Sequence, residues 1–153
     1  ETDPGPADRT AVSACLDAMA KSDPRIVANA YAACLLHCYR RGDFDFAQEL
    51  HARYRTRFPA AKPNPAVLLA LALCHIKRGE LDQAHTHFAA IVRDFPATDE
   101  APRAALLLGW IDLSRQKYPE ARATLEALVR SYPANPCAEK ARQILLQIPE
   151  AAE

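Results

Sequence analysis

The side chains that could carry out chemistry are few, and their spacing completes no known kind of site. Cys34 and Cys38 lie four residues apart, so on a helix their thiols would share one face and could chelate a metal. Cys74 and His75 are adjacent, and adjacent residues on a helix point in different directions. A closed zinc site needs four convergent ligands. We therefore interpret these cysteines as small core residues, and no metal is predicted.

Motifs for nucleophilic catalysis or phosphate binding are missing from the sequence. None of the serines lies in a G-x-S-x-G context, and the four glycines form no phosphate-binding loop. The carboxylate pairs Asp43/Asp45 and Asp99/Glu100 lie beside predicted helix breaks, where such side chains cap helices. The sequence therefore predicts no enzyme activity and no cofactor.

Composition excludes further classes of function. The 19 basic and 19 acidic residues give a net charge of zero, which disfavours non-specific binding to nucleic acid. No apolar run is long enough to predict a membrane span. Residue 1 is Glu, so we expect a processed chain or part of a longer protein, and the compartment is left open. The basic run Arg53, Arg55 and Arg57 is interpreted as a solvated face, with anionic lipid or an acidic partner as the alternative.

A repeated helical hairpin organises the chain. In residues 68–96, two apolar runs of helical period flank Gly79, and Pro96 ends the second run. Four kinds of position recur at a spacing of 37 residues: Gly42, Gly79 and Gln116; Phe44, Leu81 and Tyr118; Ala47, Ala84 and Ala121; Pro59, Pro96 and Pro133. A repeat of this length indicates an all-α solenoid. The alanines are predicted to lie where paired helices cross, so Ala84→Leu should destabilise the fold.

Local signals divide the chain into six segments. Residues 1–8 are predicted to be a linker whose Asp8 caps the first helix. The segments that follow form one predicted domain over residues 9–148: an N-terminal helix at 9–21, repeat 1 at 24–60, repeat 2 at 65–97, repeat 3 at 100–134 and a capping helix at 136–147. The last helix would cover the apolar end of the repeat array.

These repeats resemble the tetratricopeptide repeat, which has a W-x2-L-G-x2-Y…A-x3-F…P pattern. Repeat 3 carries Leu108, Gly109, Tyr118, Ala121, Leu125 and Pro133 at the matching positions, whereas repeat 1 has His51 where Phe is usual. The resemblance implies a right-handed superhelical solenoid of three hairpins. The amino-acid sequences around the helix starts of repeat 3 and the capping helix also resemble those of bacterial cell-envelope members of the family, such as the YbgF/CpoB and BamD groups.

The resemblance further implies a concave groove lined by the first helix of each repeat. Its positions map onto Ala32, Leu36, Tyr39, Leu69, Leu73, Ile76, Leu106, Trp110 and Leu113. These side chains are almost wholly apolar. Family members that bind a C-terminal carboxylate need Lys, Arg and Asn at such positions, so the chain is not expected to belong to that subclass. We expect a non-enzymatic interaction module that binds a peptide or an amphipathic helix. The alternatives are a groove filled by the chain's own end helices, homo-oligomerisation through the groove or an end helix, and a cell-envelope assembly factor.

Overall fold

The computed structural model describes residues 6–19, 22–59 and 64–149, which form eight α-helices and no β-strand. The helices are α1 Pro6–Ala18, α2 Pro24–Arg41, α3 Phe44–Arg57, α4 Pro65–Arg78, α5 Leu81–Asp94, α6 Glu100–Ser114, α7 Tyr118–Ser131 and α8 Pro136–Leu145. The predicted all-α fold is confirmed. Two compact units divide the chain, unit 1 over Glu1–Glu80 and unit 2 over Leu81–Glu153. Across the described ranges, no helix is both long enough and apolar enough to cross a membrane.

Three helices begin at an Asp or Asn followed by proline. The pairs are Asp23–Pro24 at α2, Asn64–Pro65 at α4 and Asn135–Pro136 at α8. In each pair the side-chain oxygen accepts a hydrogen bond from a backbone N–H of the first helical turn, at 2.8–2.9 Å. The proline has no N–H, so it leaves no donor unsatisfied at a position where helices lack partners. These local signals explain why the predicted starts of the three helices are correct.

The turns after α2, α4 and α6 share a left-handed backbone conformation. Gly42 has φ +77° and Gly79 has φ +76°, values that glycine adopts without steric penalty. Gln116, in the turn after α6, has φ +59°. Within the described ranges, Gln116 is the one non-glycine residue at positive φ. The third turn therefore carries a steric cost that the first two avoid.

The start of the chain differs from the prediction. Helix α1 begins at Pro6, so Asp8 lies inside the first turn and the prediction that Asp8 caps this helix is wrong. Proline explains the difference, because its fixed φ suits the first helical position and its missing N–H costs little there. Three parts of the predicted organisation lie outside the described residues: residues 1–5 of the linker, the first helix's end at 20–21, and residue 60 of repeat 1 with residues 61–63 after it. The single repeat domain over 9–148 stays a prediction.

Arginines hold α1 against the rest of unit 1. Arg53 of α3 donates to the hydroxyl of Ser13 at 2.8 Å and to the carboxylate of Asp17 at 2.7 Å. Arg57 donates to the carbonyl oxygen of Leu16 at 3.4 Å, and the Leu16 side chain is fully buried. The interpretation of the basic run on α3 as a solvated face is therefore wrong for these two arginines. The guanidinium groups of Arg53 and Arg57 instead donate hydrogen bonds to α1.

A buried carboxylate joins α1 to the turn before α3. Asp43 is 8% exposed, and its carboxylate accepts two hydrogen bonds from the guanidinium of Arg9, at 2.6 and 2.7 Å. The same side chain accepts a hydrogen bond from the backbone N–H of Phe46 and so caps α3. The prediction that Asp43 caps a helix is confirmed. The ion pair compensates the cost of burying the carboxylate.

Candidate functional site

Helix α6 is fixed in unit 2 by neighbours on several sides, since α5, α7 and α8 all pack against it. Two polar contacts tie α6 and the turn after it to α5. Nε2 of His85 lies 3.2 Å from a carboxylate oxygen of Asp112, which is only 4% exposed. Arg115, just beyond α6, donates to Asp82 at 2.8 Å. These contacts set which face of α6 remains available to solvent.

Trp110 lies on the remaining face of α6. It is 47% exposed, and it is the sole tryptophan of the chain. Leu106 and Leu113 lie four residues before and three residues after it, so the three side chains share one stripe of the helix. Both leucines are partly buried against the core of unit 2. Leu106, Trp110 and Leu113 are called the Trp110 surface below.

The six predicted partner-binding residues of unit 1 have less surface. Ala32, Leu69 and Leu73 are buried, at 4%, 8% and 4% exposure. The other three, Leu36, Tyr39 and Ile76, are partly buried. The ring of Tyr39 also lies 5.8 Å from the ammonium of Lys77, in a cation–π contact. A buried side chain offers a partner almost no area, so a binding role for these six stays a prediction.

Two exposed apolar side chains were not among the residues predicted to bind a partner. Ile26, near the start of α2, is 57% exposed, and Leu146, just after α8, is 88% exposed. Periodicity places residues on a common helix face, but it does not say which part of that face the rest of the chain covers. No local signal separates these two residues from the other leucines and isoleucines.

A cleft of about 360 Å³ opens between α5, α6 and α7 in unit 2. Val92 and Pro96 line it from the end of α5, and Ala105 and Leu108 form its α6 side. The α7 side consists largely of small residues, namely Ala123, Thr124, Ala127 and Ser131. Ala123, Ala127 and Ser131 follow one another at intervals of four residues, so their small side chains share one face of α7 and leave room for the cleft. The sequence alone could have indicated this face. The hydroxyl of Tyr132 donates to the carbonyl of Pro96 at 2.5 Å beside the cleft.

Three of the four cysteines of unit 1 contribute to its core, since Cys34 is partly buried against the same cluster as Cys38 and Cys74, whereas Cys15 is exposed. Cys38 and Cys74 are buried, as interpreted from the sequence. Burial, with the carboxylate of Asp43 adding to it, raises the pKa of the Cys38 thiol to about 12. Burial also raises the pKa of Cys74 to about 11. Thiols protonated at neutral pH are poor nucleophiles and poor metal ligands. Within the part of the chain that the structure describes, no group of three or more His, Cys, Asp or Glu could hold a metal.

Comparison with known families identifies the region that contains α6. Residues 69–136 match the family model described as tetratricopeptide repeat. No curated protein sequence matches the chain. Tetratricopeptide repeats generally mediate protein–protein interaction, and the family is typically non-catalytic. The matched segment includes α5, α6 and α7, three helices joined by short turns. The segment from residue 69 to residue 136 is therefore similar in sequence to tetratricopeptide repeats, and the part of it that the structure describes is helical.

Proposed function

We propose that this chain is a non-enzymatic protein-binding module and that the Trp110 surface contacts its partner. The exposure of Trp110 is the observation that carries the proposal. A tryptophan side chain has about 200 Å² of surface, so leaving about half of it in water forgoes roughly 2–3 kcal/mol of hydrophobic stabilisation. Binding a partner would recover that free energy. The surrounding tetratricopeptide-repeat region supports a protein as the partner.

The form of the surface favours a peptide or an amphipathic helix. Leu106 and Leu113 are seven residues apart, which is a distance of about 10 Å along a helix axis. Apolar side chains at positions i, i+4 and i+7 of a partner helix have the same reach. Tryptophan at the centre of such a stripe supplies a large, rigid contact, and residues of this type dominate the energy of many interfaces.

Selection of ligands from a displayed library of random peptides tests this proposal. Selected peptides should bind the wild-type chain, and Trp110→Ala should weaken their binding at least about tenfold, from the area lost. Ile26→Ala is a matched control, because Ile26 is also exposed and lies on α2. Peptides whose binding falls equally with both variants, or with neither, would rule out a specific role for Trp110.

We also infer that the repeat unit of this chain is 37 residues long. Helices α3, α5 and α7 begin at Phe44, Leu81 and Tyr118, and each has 14 residues. The turns at Gly42, Gly79 and Gln116 have the same spacing and the same sign of φ. Equal helix lengths and matching turns are what a repeated hairpin requires.

Self-association is a second candidate function, and the exposure of Leu146 favours it. This side chain projects from the end of α8 with 88% of its surface in solvent. The apolar cleft of unit 2 is large enough to accept a leucine side chain. Insertion of Leu146 from one copy into the cleft of another would give a head-to-tail contact between two different patches.

Complementation between two variants tests this second candidate. Leu146→Asp removes the projecting side chain, and Ala127→Tyr fills the cleft. Each variant alone should lose the self-association of the wild-type chain, as measured by sedimentation. A mixture of the two should form a pair, because Leu146→Asp keeps an open cleft and Ala127→Tyr keeps its Leu146. A wild-type chain that sediments as a monomer at all concentrations would exclude this function.

A further inference from the structure

We propose that α1 is a displaceable internal ligand of unit 1, and that the surface it covers binds a helix of the same charge pattern from another protein. This surface consists of Asp43, Phe46, Arg53 and Arg57 and is called the α1 site below. It belongs to unit 1, whereas the Trp110 surface belongs to unit 2, so the inference does not depend on the function proposed for Trp110. The contacts of α1 show which chemistry the site recognises.

The N-terminal part of α1 brings a positive charge to the negative end of the site. The guanidinium of Arg9 donates to both carboxylate oxygens of Asp43, at 2.6 and 2.7 Å, and lies 5.5 Å from the centre of the Phe46 ring. Asp43 lies at the N-terminal end of α3, where the helix dipole favours negative charge. Departure of Arg9 would open this carboxylate to water and leave its capping hydrogen bond from the N–H of Phe46 in place.

The C-terminal part of α1 brings negative charge to the positive end of the site. Asp17 accepts a hydrogen bond from Arg53 at 2.7 Å, and Arg53 also donates to the hydroxyl of Ser13. Arg57, one turn further along α3, donates to the carbonyl oxygen of Leu16 at 3.4 Å. That carbonyl is close to the C-terminal end of α1, where the helix dipole is negative.

The two ends together fix the direction in which a helix can bind. Arg9 meets Asp43 at one end and Asp17 meets Arg53 at the other, so α1 and α3 run in the same direction. A helix bound in the opposite direction would bring like charges together, which weakens binding. The pattern that fits is a basic residue followed, seven and eight positions later, by a leucine and an acidic residue.

The attachment of α1 depends little on buried apolar surface. Across residues 9–18, Leu16 is the only buried side chain, and Val12 is partly buried against the core of unit 1. The side chains of Asp17 and Arg9 are 64% and 41% exposed, so salt screens their ion pairs. A helix of 13 residues is also marginally stable on its own. We therefore expect α1 to leave as one unit, while α2, α3 and α4 stay packed against each other.

Binding of a labelled α1 peptide to the full chain tests the site. The peptide covers residues 6–19, carries a fluorophore and contains Cys15→Ser, a change at an exposed position. Leu16→Asp in the chain removes the buried anchor of α1 and should release it, with the other helices retained by circular dichroism. The peptide should bind this variant at least about tenfold more tightly than the wild-type chain, in which the attached α1 competes at high effective concentration. Equal binding to both chains, or binding to neither, would overturn the proposal.

Exchange of one charge pair tests what the site recognises. Asp17→Arg in the peptide should weaken its binding to the Leu16→Asp chain at least about tenfold, because it places like charges together. Adding Arg53→Asp to that chain should make it prefer the altered peptide. Arg55→Asp is the matched control, since Arg55 is exposed on the same helix, and it should leave the preference for the unaltered peptide unchanged. A preference that Arg53→Asp does not reverse would overturn the charge pattern.

Hydrogen exchange of the wild-type chain tests the proposal even if Leu16→Asp fails to fold. Amides of α1 should exchange before those of α2 and α3, and the difference should grow as salt rises. Exchange of all three helices at one rate would overturn a displaceable α1. A wild-type dimer in sedimentation that the peptide dissociates would make a second copy of the chain the occupant and overturn a separate partner.

Discussion

Gly109 of α6 lies directly against Leu125 of α7. A Cβ atom built on Gly109 would come within 2.8 Å of both Cγ and Cδ2 of Leu125, closer than real Cβ atoms approach other atoms. Leu125 is fully buried, so its side chain has little room to move away. The absence of a side chain at residue 109 therefore sets how closely α6 and α7 approach each other.

Gly109→Ala should destabilise the chain by about 1–3 kcal/mol, the usual cost of overpacking a core contact. Leu125→Ala should cost about 2–5 kcal/mol by leaving a cavity. The double variant should be more stable than the sum of the two costs predicts, because the alanine methyl at 109 enters space that Leu125 has left. Urea denaturation of the four proteins gives the coupling energy. Costs that simply add would show that the two positions do not compete for space.

Gln116→Gly should stabilise the chain. Relief of the left-handed backbone conformation recovers about 1–2 kcal/mol, and the extra freedom of glycine in the unfolded chain costs roughly 0.5–1 kcal/mol. The net gain should be about 0.5–1 kcal/mol, visible as a higher Tm. The comparison variant, Gly79→Ala, places a side chain at the same kind of turn and should lower Tm. If both substitutions shift Tm in the same direction, the turns after α4 and α6 are not equivalent.

Local sequence signals predicted much of the fold. Helix starts at Pro24 and Pro65 follow from an Asx cap joined to a proline, and the ends of α2 and α4 follow from glycines at positive φ. The alanines predicted at helix crossings, Ala47, Ala84 and Ala121, are all fully buried. Each of these features depends on residues within one or two turns, which is the range over which sequence patterns are informative.

Features that depend on distant parts of the chain were not predictable in the same way. Leu73 and Trp110 were assigned to the same kind of surface, yet Leu73 is 4% exposed and Trp110 is 47% exposed. Spacing along a helix cannot distinguish them, because burial depends on what packs over each face. The contacts of Arg53 with Ser13 and Asp17 join residues about 40 positions apart, and no local pattern indicates them.

His51 should make the chain less stable as pH falls. Burial lowers the pKa of His51, and the nearby guanidinium of Arg55 adds to the effect. The unfolded chain then binds a proton near pH 6.5 that the folded chain does not bind until lower pH. Stability is therefore complete above about pH 6.5 and is lost progressively as pH falls below that value.

His51→Leu removes this titration, and leucine occupies the corresponding buried position 125 of the third hairpin. The urea midpoint of the variant should change less than that of the wild-type chain between about pH 7.5 and pH 5.5, a range set by the usual pKa of histidine. Parallel curves for the two proteins over this range would show that His51 does not couple folding to pH.

The thiols should react in an order set by their environments. Cys15 is exposed, whereas Cys38 and Cys74 are buried and have pKa values raised to about 12 and about 11. At pH 8, iodoacetamide should label Cys15 in the folded chain and should label the other two only in denaturant, because the thiolate is the reactive form. Mass spectrometry of the digested protein identifies each labelled cysteine. Labelling of Cys38 at the rate of Cys15 would mean that unit 1 opens readily in solution.

Trp110 should fluoresce as an indole that is accessible to water. At 47% exposure, its emission should be shifted to the red of a buried tryptophan, and iodide should quench it efficiently. Blue emission that iodide does not reach would mean that the Trp110 surface is covered in solution, by another copy of the chain if the shift depends on protein concentration.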